Sequence, residues 1–152
     1  KTAGPFSCAC EIAGSIANMS DEKCQLLSEF GMDLGITFQL VDDLLDIKGD
    51  ERMGKPRGSD VYEGKMTLPL IHALTILHGK KRERLAHLIR DFSDDKFDEL
   101  IELLNHSGSL NYCEILIKTH VGRALSKLDK FPDSETKRLM EYVVDLIQTR
   151  HF

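Results

Sequence analysis

Tryptophan is absent from the 152 residues, proline occurs four times, and aromatic residues make up only 7% of the chain. No apolar run approaches the roughly 18 residues that a membrane-spanning helix needs, so no transmembrane segment is expected. A basic surplus is lacking as well: Lys and Arg total 20 against 25 Asp and Glu, a formal net charge of −5. Covering nucleic-acid phosphates calls for the opposite balance, which argues against nucleic acid as a partner. Any anion handled here must be met by local cations or by a metal. The cysteines Cys8, Cys10, Cys24 and Cys113 form no C-x-x-C, and no histidine pair follows at zinc-ligand spacing. They read as small thiols in a reducing, cytoplasmic setting. The first residue is Lys1, and no signal peptide with a charged start and an apolar middle follows. The chain therefore reads as a piece of something longer.

What is present is helical periodicity, with no run of alternating strand pattern. Residues 3–18 predict a helix of small residues that neighbours can approach closely. Ser20 ahead of Asp21 and Glu22 is a helix start, a side-chain cap followed by acids in the first turn. That helix runs to about Lys48. Gly31 and Gly35 inside it cost roughly 1 kcal/mol each in propensity, and their spacing of four points to close packing against another helix. Residues 49–65 break the pattern: four of the eleven glycines (Gly49, Gly54, Gly58, Gly64) fall here with Pro56, Arg52, Lys55, Arg57 and Lys65. Loops of this length in compact domains are functional or disordered. Further helices are predicted over Leu68–Leu77, Lys81–Phe92 and Asp94–His106, then from Ser109 to about Lys130, and from about Pro132 to Gln148. The fold class is all-α.

The most informative stretch is Phe38-Gln39-Leu40-Val41-Asp42-Asp43-Leu44-Leu45-Asp46. On a helix, positions 39, 42, 43 and 46 are spaced i, i+3, i+4, i+7 and form one stripe. Leu34, Phe38, Val41 and Leu45 form a second stripe, and Leu40, Leu44 and Ile47 a third. Two faces are apolar, so this helix is largely buried, and the remaining face carries three carboxylates and an amide. A solvated face would mix cations with the acids, yet none stands between Asp33 and Lys48. Like charges one turn apart repel, the more so in a semi-buried site. A hard divalent cation is the natural compensation. Mg²⁺ in particular takes one or two carboxylates, keeps several waters and shares its remaining positions with phosphate oxygens. An EF-hand loop is excluded, because Asp46 is followed by Ile47-Lys48-Gly49-Asp50 rather than by ligands at alternate positions. Two carboxylates within one helical turn are also poorly placed to flank a sugar. No phosphate-binding G-x-x-x-x-G-K-[ST] loop is present.

Phe38-Gln39-x-x-Asp42-Asp43-x-x-Asp46 resembles the second aspartate-rich motif of the trans-type polyprenyl diphosphate synthases. Gly54-Lys55-Pro56, Gly58-Ser59-Asp60 and Glu63-Gly64-Lys65-x-Thr67-Leu68-Pro69-Leu70 look like the loop that follows it in that family. Lys1-Thr2-Ala3 is similar to its lysine-threonine motif, one long helix upstream. The resemblance is close over residues 1 to about 75 and rests on helical pattern beyond. It implies an all-α helical bundle of the isoprenoid synthase type, of which residues 1–152 form the C-terminal half. Asp42, Asp43 and Asp46 would hold Mg²⁺ bridging the diphosphate of an allylic substrate. Lys1, Lys55 and Lys65 would reach the same diphosphate, Thr2 and Gln39 would lie near the carbon where positive charge develops, and Phe38 would line the apolar cavity. Asp60 would support the loop, and Arg150 could close over a second diphosphate.

The implied chemistry is condensation of an allylic diphosphate with isopentenyl diphosphate. Metals and lysines stabilise the departing diphosphate, and no protein nucleophile is required. A homodimer is implied too. The family's first aspartate-rich motif is absent, since Asp94-Asp95-Lys96 lacks the third acid and the arginine pair. The expectation is thus half an active site, inactive without an N-terminal half. Pro5-Phe6 stands where the family has smaller residues, which bears on the first helical turn. A class I terpene cyclase and a non-catalytic subunit of a heteromeric synthase are the alternatives. The Gly-rich loop counts against the first, and the intact aspartates count against the second.

Overall fold

The computed structural model describes residues 1–49 and 57–149. Within them the chain forms α1 (Ala3–Ile16), α2 (Asp21–Lys48), α3 (Ser59–Tyr62), α4 (Leu68–Ile76), α5 (Gly79–Arg90), α6 (Phe97–His106), α7 (Ser109–Leu128) and α8 (Glu135–Gln148), with a 3₁₀ turn at Asp94–Lys96. Among the described residues there is no strand, and no helix is long and apolar enough to cross a membrane. The all-α expectation holds.

Several boundaries differ from the sequence reading, among them α5, which runs over Gly79–Arg90 rather than Lys81–Phe92. The last helix begins at Glu135, not near Pro132, because the Ser134 hydroxyl accepts the Lys137 N–H at 3.1 Å and supplies the cap. The stretch from Asp94 divides into a 3₁₀ turn and α6. The predicted loop over 49–65 contains α3, which starts at Gly58 in the left-handed region (φ 72°). A side chain there would be strained, and its Cβ would meet the Phe92 ring at 3.1 Å. Pro5, in contrast, leaves α1 intact. It sits in the first turn, where a missing N–H breaks no helical bond.

The chain divides into two compact units, one of Lys1–Val41 with Leu116–Arg150, the other built on Asp42–Ile115. In the first, α2 buries Leu27, Phe30 and Leu34, α7 buries Ile117, Val121, Ala124 and Leu128, and α8 buries Val144 and Ile147. The paired glycines do what their spacing predicts. A Cβ on Gly35 would lie 2.6 Å from the Ala3 Cα, and one on Gly31 would strike the backbone of Phe6. Only glycine lets α1 and α2 approach this closely. Phe6 and Phe38 pack ring to ring beside this contact, centroids 5.9 Å apart.

In the second unit, α4, α5 and α6 pack on one another. Leu70, Ala73, Leu85, Leu88, Leu100 and Leu104 are fully buried, each on the apolar face its helix presents at i, i+3, i+4 spacing. Leu44, Ile47 and Val61 join this core. The C-terminal end of α2 is thereby held by its two apolar stripes, and the acidic stripe takes the remaining face, with Asp43 buried, Asp46 half-buried and Asp42 exposed.

Candidate active site

The acidic stripe lies on the last two turns of α2, and its three carboxylates have different surroundings. Asp42 is exposed. Asp43 is 7% exposed, and its Oδ2 accepts the Leu68 N–H at 3.3 Å, at the N-terminus of α4. Beside that bond, Thr67 is 6% exposed and its hydroxyl is buried without a hydrogen-bond partner. Asp46 is half-buried. Its Oδ1 accepts the Ser59 hydroxyl at 2.6 Å, and both its oxygens lie within 3.2 Å of the Asp60 N–H. The Asp46 carbonyl also accepts the Gly58 N–H at 2.8 Å. Burial pushes the Asp46 carboxyl above its ordinary value, against the Ser59 and Asp60 hydrogen bonds that favour the ionised form.

From Asp60 the chain of contacts continues to a lysine. Lys65 Nζ donates to Asp60 Oδ1 at 2.8 Å and pairs with Glu63 at 2.7 Å, while the Lys65 N–H donates to the Asp60 carbonyl at 2.8 Å. These hydrogen bonds hold the Lys65 ammonium above its ordinary value. Asp60 is thus bonded to Lys65 through both its carboxylate and its carbonyl. The sequence reading gave Ser59 no role of its own, and no local signal marks it: Gly58 is the cap position of α3, and the Ser59 hydroxyl goes to Asp46, thirteen residues back.

In the other unit, Thr2 and Gln39 come together: the Thr2 hydroxyl donates to Gln39 Oε1 at 2.8 Å. Gln39 is exposed, Phe38 half-buried and Lys1 exposed. Lys55 and Arg150 lie outside the described residues. An apolar cavity of about 570 Å³ is bounded by Cys10, Gly14, Leu27, Leu128 and Met140, with Phe38 outside its lining.

The sequence reading also missed a buried ion cluster. Asp33 is 3% exposed; its Oδ2 takes Lys127 Nζ at 2.6 Å, its Oδ1 takes His120 Nδ1 at 2.7 Å, and Arg123 Nε lies 3.5 Å away. Burial opposes ionisation here, but the Lys127 and His120 bonds hold the Asp33 carboxyl below its ordinary value. The spacing of 120, 123 and 127 puts the three basic residues on one face of α7, but nothing in the sequence ties that face to Asp33. His72, likewise, is satisfied by Ser109 at 2.9 Å and stacked on Tyr112.

The donor set of the acidic stripe fits a hard divalent cation. All its donors are carboxylate oxygens, one is exposed, and a buried hydroxyl beside the second lacks a protein partner. Among the described residues no three His, Cys, Asp or Glu side chains converge as a ready metal cage. The arrangement suits an ion of the Mg²⁺ type, which takes few protein ligands and completes its shell with water and phosphate oxygens.

A family profile described as polyprenyl synthetase matches residues 1–104. The chain is 31% identical over 151 residues to a short chain isoprenyl diphosphate synthase of Methanothermobacter thermautotrophicus, an alignment that covers 99% of this chain and 46% of the relative. Its fold matches the crystal structure of a geranylgeranyl pyrophosphate synthetase from Pyrococcus horikoshii with a TM-score of 0.88, at 31% identity over 99% of this chain and 46% of that one. It also matches a polyprenyl synthase from Caulobacter crescentus, crystallised with calcium and isoprenyl diphosphate, with a TM-score of 0.84 at 32% identity over 95% and 45% of the two chains. The chain spans about half the length of the curated relatives it matches.

Proposed function

The chain belongs to the polyprenyl synthetase family, and from that premise we propose that it is the C-terminal half of an isoprenoid synthase domain that condenses an allylic diphosphate with isopentenyl diphosphate to a longer trans-polyprenyl diphosphate. The observation that carries the reading is the acidic stripe, in register on α2 with one carboxylate exposed and two anchored.

The stripe of Asp42, Asp43 and Asp46 holds Mg²⁺, with Asp42 as its exposed member. Bound there, the ion supplies charge stabilisation to a departing diphosphate. The chain's own residues do the rest. Lys1, Lys55 and Lys65 meet the diphosphate as point charges, and Lys65 comes to it from its pair with Asp60 and Glu63. The Thr2 hydroxyl is oriented by Gln39, and the two place oxygen dipoles near the carbon that becomes cationic. Phe38 contributes apolar surface that excludes water. The protein acts as a cytoplasmic homodimer, and the isopentenyl site is completed by residues beyond these 152.

The test is incorporation of labelled isopentenyl diphosphate with an allylic primer and Mg²⁺. This chain is assayed alone and within a polypeptide of the relatives' full length. Chain-lengthened product from the longer polypeptide only is expected. Product from neither sinks the reading, and product from this chain alone refutes the half-site assignment.

A further inference from the structure

The three aspartates of the stripe do not face the same things, and the difference assigns them different work. Asp43 accepts the Leu68 N–H, and Asp46 has both carboxylate oxygens engaged by the loop that follows α2. Ser59 Oγ donates to the Asp46 carboxylate at 2.6 Å, and the Asp60 N–H lies 3.1 Å from Oδ2 and 3.2 Å from Oδ1. Its carbonyl receives Gly58 N–H at 2.8 Å. Three consecutive residues of the loop are thus fastened to one residue of α2. What they fasten is α3, whose short turn presents the Asp60 side chain to Lys65 Nζ at 2.8 Å and the Asp60 carbonyl to the Lys65 N–H at 2.8 Å. Asp42, one turn back, is the exposed member.

From this we infer that Asp46 is a positioning residue, which sets Lys65 through Ser59 and Asp60, while Asp42 presents the carboxylate that meets the cation. The inference rests on the proposed reading of the stripe as a metal–diphosphate site and reassigns its third member. Two neutral donors make three contacts to this carboxylate and engage both of its oxygens, so direct ligation would have to compete with the loop for most of its lone pairs. Over residues 58–65 the same geometry shows how a stretch with glycine at both ends of α3 still places a lysine: its bonds lead back to α2.

The two roles separate by chemistry. Ligation depends on the negative charge; anchoring depends on accepting hydrogen bonds, which an amide oxygen also does. Binding of inorganic diphosphate to this chain is measured by calorimetry at stepped Mg²⁺ concentrations for wild type, Asp42→Asn, Asp46→Asn and Asp46→Ala. Asp42→Asn is expected to move the Mg²⁺ midpoint about tenfold upward, the loss of one charge-assisted contact. Asp46→Asn is expected to leave the midpoint within about twofold, and Asp46→Ala to weaken diphosphate binding about fivefold at saturating Mg²⁺ without moving it.

A second measurement needs no ligand. Amide hydrogen exchange at Lys65 is expected to accelerate in Asp46→Ala and in Ser59→Ala, with no further acceleration in the double variant, and to be unchanged in Asp42→Asn and Asp46→Asn. A Mg²⁺ midpoint shifted as far by Asp46→Asn as by Asp42→Asn overturns the inference and leaves the reading of the site intact. Unchanged exchange at Lys65 in Asp46→Ala overturns it too. Diphosphate binding that ignores Mg²⁺ in the wild type defeats the reading of the site, and the exchange experiment then still decides whether Asp46 orders the loop.

Discussion

Helix α2 carries a buried aspartate in one unit and a half-buried one in the other, thirteen residues apart, and surrounds them in opposite ways. Asp33 is met by basic side chains of α7, with Lys127 at 2.6 Å, His120 at 2.7 Å and Arg123 at 3.5 Å, and its carboxyl is held below the ordinary value. Asp46 is met by a hydroxyl and a backbone amide, has the Asp60 carboxylate nearby, and its carboxyl is pushed above the ordinary value by burial. The first arrangement is electrostatically closed. A buried carboxylate with its counter-charges in place has nothing left to offer a ligand, so its work is to join helices. The second is hydrogen-bonded but not neutralised, and it lies one turn from an exposed carboxylate. Burying acids without matching positive charge is costly, and such sites are where added cations act.

Removing either carboxylate tests the contrast. Asp33→Ala leaves Lys127, 12% exposed, and His120, 16% exposed, facing an empty position, and is expected to cost about 3 kcal/mol of unfolding free energy, the low end for breaking a buried pair. Urea denaturation would show it; a loss no larger than that of Asp46→Ala would erase the distinction. The pH dependence sharpens the same point. Because the Asp33 carboxyl titrates lower in the folded chain than in the unfolded one, its contribution is present above the unfolded value of about 3.9 and is lost as the pH falls through the folded value below it. The stability gap between wild type and Asp33→Asn should be constant above about pH 5 and close on the acid side of pH 4. A gap that persists to the lowest pH measured would mean that packing, not charge, makes the cluster.

The other half of the comparison is tested from the ligand side. Mg²⁺ with inorganic diphosphate at about 100 times its dissociation constant should stabilise the chain by about 2.7 kcal/mol. The added protection from hydrogen exchange should concentrate at Asp60–Lys65 and spare the amides around Asp33. Asp42→Asn should remove it. Protection spread evenly over both regions would mean that the two ends of α2 respond as one.

How much of this was legible beforehand follows from the range of the signals. The course of α2, its two apolar stripes and the close approach at Gly31 and Gly35 are local patterns, and the structure has them where the spacing put them. The order of the motifs also carried the family. Helix ends were less legible: Ser134 overrides Pro132 because a cap is decided by one hydrogen bond, not by composition. The pairing of Asp33 with α7 joins residues 87 and 94 positions apart, and nothing in the neighbourhood of Asp33 announces it. Nor could the stripe alone say that its members differ. Asp42, Asp43 and Asp46 are alike in sequence and are told apart only by Leu68, Ser59 and Asp60, which come to them from later in the chain.

The smallest expected effect probes the most local of these differences. Ser59→Ala deletes the 2.6 Å bond to Asp46 Oδ1 and leaves the Asp60 N–H bonds and the Gly58 N–H bond to the Asp46 carbonyl in place. The site is half-buried, so water can replace part of what is lost, and the cost should be about 1 kcal/mol. Were the Asp46 carboxylate an electrostatically closed group like Asp33, one missing neutral donor would hardly be felt, since its cations would still hold it. Because Asp46 relies on neutral donors, removing one should instead loosen the start of α3 and, through Asp60, the Lys65 pair. A thermal melt that shows no loss for Ser59→Ala would place the anchoring of the loop in the backbone amides alone. A loss that is rescued by Thr at position 59 would fix it on the hydroxyl.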